Sequence, residues 1–95
     1  MVFVATFSAL ACAVQDAVTD EANKLIGKRD FTAAYLLLEP LESERAGDID
    51  YDYLLGVAAV ESGNITRGAF ALERVLALDP AHQDARAEID RKSVV

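Results

Sequence analysis

Residues 49–80 read "IDYDYLLGVAAVESGNITRGAFALERVLALDP", and the way this stretch divides decides the fold. Tyr51, Leu54, Leu55, Ala58 and Ala59 recur at three and four residues, which gives a helix over 49–62 one apolar face. Gly63-Asn64 then breaks it, because glycine reaches the left-handed conformation cheaply and Asn64 is placed to cap the next helix. Ile65, Ala69, Leu72, Val75 and Leu76 form the facing stripe of that second helix. Pro80 restricts Asp79 and suits the first turn of a further helix, for which Asp79 is the expected cap. Gly56 and Gly68 fall inside the two helices, where each costs about 1 kcal/mol relative to Ala. The expected return is close approach of one helix to the other.

The same plan precedes it. A shift of 34 lays residues 15–48 over residues 49–82, so that Asp16 meets Asp50, Thr32 meets Thr66 and Leu38-Glu39 meets Leu72-Glu73. Ile26 with Val60, Phe31 with Ile65, Ala34 with Gly68 and Leu41 with Val75 keep apolar or small character. The first unit therefore reads as a helix over 17–28 and a second from Phe31 to about Ala46, with Asp30 as the cap of the second. Pro40 lies inside that second helix and predicts a break near 36–38. Gly47-Asp48 links the units, and a fifth helix is expected to begin near Ala81. The fold class is all-α.

These features resemble a tetratricopeptide repeat. The resemblance rests on Leu55-Gly56, the Gly63-Asn64 turn followed by Ile65, small Gly68, Leu72, and the ending Leu76-Ala77-Leu78-Asp79-Pro80. The first unit matches through Asp30-Phe31, Ala34, Leu38 and Leu41. Asp52 stands where many such repeats carry Trp, and the first unit has Glu21-Ala22 in place of Leu-Gly. The resemblance implies antiparallel helix pairs, two repeats and part of a third, in a right-handed superhelical stack. It also implies a concave face lined by the first helix of each pair. Thr19, Asn23 and Ile26 would face that groove from the first unit, and Asp50, Tyr53, Val57 and Glu61 from the second. Tyr53 has the alternative of packing into the neighbouring repeat. A clamp for a peptide's terminal carboxylate is disfavoured, because Thr19 and Leu54 occupy places where that clamp takes Lys and Asn. An extended or helical peptide, or another protein's surface, is the expected partner, and self-association through exposed repeat ends is a further option.

Composition limits the alternatives. The net charge of -7, from 9 basic and 16 acidic residues, repels phosphate backbones and anionic headgroups, so neither nucleic acid nor a membrane surface is an expected partner. No cofactor motif is present, and one cysteine, Cys12, excludes a multi-cysteine zinc site. His82 is the only histidine and reads as a solvated loop residue; no catalytic constellation forms around it, so the chain does not read as an enzyme. The acidic runs 42–44 and 48–52 lack the spacing of a calcium loop, and Asp48 and Asp50 suit a helix N-terminus.

Residues 1–13 carry no charge and lead to Ala11-Cys12-Ala13, as the core and cleavage site of an export signal do, although no Lys or Arg precedes them. The apolar run falls short of the roughly 20 residues that span a bilayer, so direct membrane insertion is not expected. A packed N-terminal helix in a cytoplasmic adaptor is the alternative. The signal-like start with the repeats is also similar to surface lipoprotein assembly modifiers, in which helical repeats precede an outer-membrane β-barrel. That likeness implies a bacterial periplasmic or outer-membrane-associated scaffold, or a structural segment of a longer assembly protein. At the other end, residues 83–95 read as the first helix of a third repeat that loses its pattern at "DRKSVV", residues 90–95. Those six residues can be encoded by GAT CGG AAG AGC GTC GTG, which resembles a sequencing-library adapter. The expectation is an artefactual tail after about Ile89; any other codon choice in the nucleotide record would discard it.

Overall fold

A computed structural model describes residues 17–92, and throughout that range the regular structure is helical. Helix α1 covers residues 17–27. It is followed by α2 (Phe31–Leu38), a 3-10 turn (Glu39–Leu41), α3 (Glu42–Arg45), α4 (Ile49–Glu61), α5 (Ile65–Leu78) and α6 (Gln83–Lys92). Helix starts recur at the period read from the sequence: Phe31 and Ile65, then Ile49 and Gln83, are each 34 residues apart. Residues 1–16, with the expected signal and Cys12, and residues 93–95 of the expected tail lie outside the described residues.

The turns repeat the period in different chemistry. At the end of α1, Asp30 N–H reaches Leu25 C=O at 2.8 Å and Arg29 N–H reaches Ile26 C=O at 2.9 Å, with Arg29 left-handed at φ 62°. At the end of α4, Asn64 N–H reaches Ala59 C=O at 2.7 Å and Gly63 N–H reaches Val60 C=O at 3.2 Å, with Gly63 at φ 102°. The next helix starts differ. Asp30 accepts from Ala33 N–H at 3.3 Å, as expected. Asn64 does not cap; its amide donates to Ser62 Oγ at 3.2 Å, which holds the side chain back over the turn.

One expected break stands and one expected cap moves. The α-helical ladder ends at Leu38, within the expected 36–38, and gives way to 3-10 geometry over Glu39–Leu41. Pro40 occupies the opening of that tighter turn, where its missing N–H is least costly. The Tyr51 hydroxyl, wholly buried, donates to the carbonyl of Leu38 where the ladder stops. Burial, then the charges of Glu42 and Asp52, push that hydroxyl well above its ordinary range and keep it a donor. At the other break, Asp79 accepts from Ala81 N–H at 3.2 Å and shapes the turn rather than the helix. Helix α6 begins at Gln83, and His82 caps it.

Helix α4 is the centre of the fold. It packs against α2 on one side and doubles back along α5 on the other, with α6 beyond. A single apolar face was expected, yet Leu54 to Val60 are all buried, because neighbours cover it on more than one side. One cluster joins Ala22, Ala34, Leu38, Tyr51, Leu55 and Ala71 across four helices; a second joins Val60, Leu72, Val75 and Ala85. The closest approach lies between Gly56 and Gly68. A Cβ on Gly68 would stand 2.5 Å from Val60 Cγ2 and 2.8 Å from both Gly56 O and Val60 N. A Cβ on Gly56 would chiefly meet the side chain of Leu72, at 2.6 Å.

Asp52, expected to sit where Trp is common, is a wholly buried carboxylate. It accepts from Gly47 N–H at 2.8 Å and from Arg74 Nη2 at 2.9 Å, and Arg74 also reaches Glu42 at 2.9 Å. One guanidinium thus ties α3, α4 and α5 together. Removing one partner of a buried pair strands the other charge.

Urea denaturation checks these contacts. Gly68→Ala is expected to lose about 2–3 kcal/mol, because backbone atoms block the new methyl, and Gly56→Ala about 1 kcal/mol, because Leu72 can turn aside. Arg74→Met is expected to lose about 2–4 kcal/mol. Equal stabilities for the two alanine variants would contradict the packing described.

Candidate functional site

A cleft of about 510 Å³ opens between α1 and the N-terminal half of α4. Helix α1 supplies Thr19, Asp20 and Asn23; the far wall is Asp48, Asp50, Tyr53 and Leu54, with Arg45 at one end. Four of the seven groove residues expected from the sequence, Thr19, Asn23, Asp50 and Tyr53, meet here.

Local structure fixes each wall. Asp48 caps α4 by accepting from Asp50 N–H at 3.1 Å and Tyr51 N–H at 3.4 Å, and it holds Arg45 at 2.8 Å. The Arg45 guanidinium lowers the Asp48 carboxyl below its ordinary value, against the effect of burial and with help from the two amides. Arg45 itself lies 5.2 Å over the Tyr51 ring, so it is packed rather than extended toward solvent. Asp20 and Asp50 are exposed, which leaves the cleft acidic on balance.

Tyr53 is half-buried, and its ring lies 5.1 Å from His82 at a 36° tilt. Burial, then Asp84 and Glu88, raise its hydroxyl above the ordinary value. His82 was expected to be a solvated loop residue, and that expectation is corrected. Its Nδ1 accepts from Ala85 N–H at 3.1 Å and caps α6, the part that Asp48 plays 34 residues earlier. The capping lone pair requires Nδ1 to be unprotonated. Tyr53 therefore both lines the cleft and buttresses the next turn; its two readings are not exclusive.

The other three expected groove residues lie elsewhere. Val57 is buried at 7% exposure, and Ile26 packs against the first core cluster. Glu61, at the far end of α4, pairs with Arg91 at 3.0 Å and Lys92 at 3.5 Å. Helix α6 thus continues through 90–92, where the sequence pattern appeared to stop. Asp20, Asp48 and Arg45 belong to the cleft although sequence reasoning did not place them there. Asp20 could have been found one residue after Thr19; Arg45 could not, because the break at Pro40 brings it there.

Glu88 on α6 is 6% exposed and also takes the Arg91 guanidinium. Burial pushes its carboxyl up to about 7, reinforced by a hydrogen bond to Glu61 and that residue's charge, while Arg91 acts the other way. Glu61 moves below its ordinary value, chiefly because Glu88 donates to it, then through Lys92 and Arg91 against burial. Among the described residues no three His, Cys, Asp or Glu side chains gather as metal ligands, and no helix is long and apolar enough to cross a membrane.

Comparison with protein-family models, curated proteins and solved structures found no match to this chain.

The Glu88 carboxyl gives a signed pH test. A raised pKa means the folded chain binds the extra proton between about pH 4.5 and 7, so this group lowers stability as pH rises through that window. Glu88→Gln is expected to match the wild type near pH 4.5 and to exceed it by on the order of 2 kcal/mol above pH 7. Urea titrations at both pH values measure the difference. His82→Ala is expected to lose about 1 kcal/mol and to fray α6, seen in amide exchange at Ala85.

Proposed function

We propose that this chain is a noncatalytic protein-interaction scaffold of the tetratricopeptide-repeat type. Its helix pairs would stack in a right-handed superhelix, and its partner would be a peptide or protein surface carrying Lys or Arg. The observation that supports this best is the cleft itself. Thr19 and Asn23 of one unit and Asp50 and Tyr53 of the next converge on it from the first helices of successive units. An aromatic wall contributes apolar contact at small entropic cost, and the surrounding carboxylates select for a basic partner by steering and by complementarity. The signal-like start favours the bacterial cell envelope as the place of action.

Selection from a displayed random-peptide library against the full chain provides the probe, and ¹⁵N chemical shifts on titration with the selected peptide map its site. Shifts are expected at Thr19, Asn23, Asp50 and Tyr53, with Lys or Arg enriched among the peptides. Asp50→Lys, an exposed substitution, is expected to weaken binding by about tenfold without loss of folding. Peptides that are acidic, or shifts that avoid α1, would overturn the assignment.

A further inference from the structure

Helix α6 has few apolar anchors. Of its 10 residues only Ala85 and Glu88 are buried, and Ile89 packs at the edge of the second cluster beside Val60, Leu72 and Val75. One of its two buried side chains is thus an acid. Glu88 lines a cleft of about 160 Å³ between α5 and α6, among Val60, Ile65, Leu72 and Ile89, and is 6% exposed.

A second carboxyl meets it there. Glu61, at the C-terminal end of α4, takes Nη2 of Arg91 at 3.0 Å, and Glu88 takes the same nitrogen through Oε1. Lys92 reaches the other Glu61 oxygen at 3.5 Å. Glu88 Oε2 is buried and accepts from no donor among the described residues. A proton on Oε2 answers both features: it removes one of two adjacent negative charges, and it turns an acceptor without a partner into a donor. The groups that face Glu88 are Glu61 and Tyr53 on α4, Glu73 on α5, and Asp84, Arg91 and Lys92 on α6 itself. Burial and the three acids oppose a charge at Glu88, and the two cations favour it.

We propose that α6 is a proton-latched helix: a proton shared by Glu88 and Glu61 holds it on α4 and α5, and loss of that proton lets it open locally. The α4–α5 hairpin stays closed, because the Gly56–Gly68 approach and the Asp52–Arg74 pair make no use of α6. Opening uncovers Val60, Leu72 and Val75, and it withdraws His82, which caps α6, from Tyr53 in the wall of the α1–α4 cleft. The sign follows from the two states of Glu88. Undocked, it meets water and ionises at its ordinary value of 4.5; docked, it keeps its proton up to about 7. Between those values each rise in pH favours the open helix. The latch needs no ligand in the α1–α4 cleft and is tested without one.

Native-state amide exchange of the full chain, followed by NMR at pH 6 and pH 8 over a range of low urea concentrations, tests this. After correction for the intrinsic pH dependence of exchange, the opening equilibrium at residues 87–90 is expected to rise about tenfold from pH 6 to pH 8. It is expected to depend little on urea, as a local opening does, whereas residues 55–59 of α4 follow global unfolding. Glu88→Gln keeps a donor for Glu61 at every pH, so its α6 opening is expected to change by less than about twofold. Glu61→Gln removes the neighbouring charge and is expected to hold the rise below about fourfold. The His82 cap is common to all three proteins, so the differences among them report the carboxyl pair. One urea dependence shared by α6 and α4 amides overturns the proposal, and so does a tenfold rise that persists in Glu88→Gln.

Discussion

Helices α4 and α5 meet with no side chain between them at Gly56 and Gly68, and the rest of the structure is arranged around that contact. Backbone oxygen and nitrogen of α4 stand within 3 Å of where a Gly68 Cβ would be. An approach this close fixes the spacing of the hairpin and brings Leu72 and Val75 against Val60 and Ala85. It also sets the depth at which Asp52 and Arg74 meet. Once the two helices are in register, the carboxylate has no access to water and depends on Arg74 and the Gly47 amide. The glycine pair and the buried ion pair are thus one device: the first permits the approach, and the second penalises any sliding of α5 along α4.

The repeated plan of the chain is carried by geometry more than by residue identity. Arg29 and Gly63 occupy the same left-handed position at equivalent turns, although only one of them is a glycine. Asp48 and His82 cap equivalent helices with a carboxylate and an imidazole. Backbone groups at helix ends need partners of a given kind at a given place, and several side chains satisfy the same need. This is why the 34-residue period survives at low identity.

The two clefts differ in chemistry. Between α1 and α4, exposed carboxylates and one aromatic ring face water, so the charge there is screened by salt. Between α5 and α6, the Glu88 carboxyl is buried and shares a hydrogen bond with Glu61, so its surroundings rather than water set its charge. Glu61 belongs to the second arrangement although the sequence placed it in the first. It lies at the C-terminal end of α4, two helical turns beyond Tyr53, and α6 reaches it there.

The sequence by itself determined what depends on near neighbours. Apolar spacing, Asp30 as a cap, the Gly63 turn, the break caused by Pro40 and the close approach of Gly56 to Gly68 were all legible, since each rests on residues within a few positions or on a repeated pattern. The resemblance to a tetratricopeptide repeat, rather than any local rule, placed Thr19, Asn23, Asp50 and Tyr53 on one surface. Tertiary structure decided the rest. Asp52 reads as one more acid in an acidic run until Arg74, 22 positions away, is packed beside it. Val57 and Ile26 fall on the expected face but are covered by neighbouring helices. Glu88 becomes a buried acid only because α6 lies across the end of α4, and Arg91 meets Glu61 across 30 positions for the same reason. Local rules choose the helices and where they stop; whether a polar side chain is solvated or buried depends on which distant helix covers it.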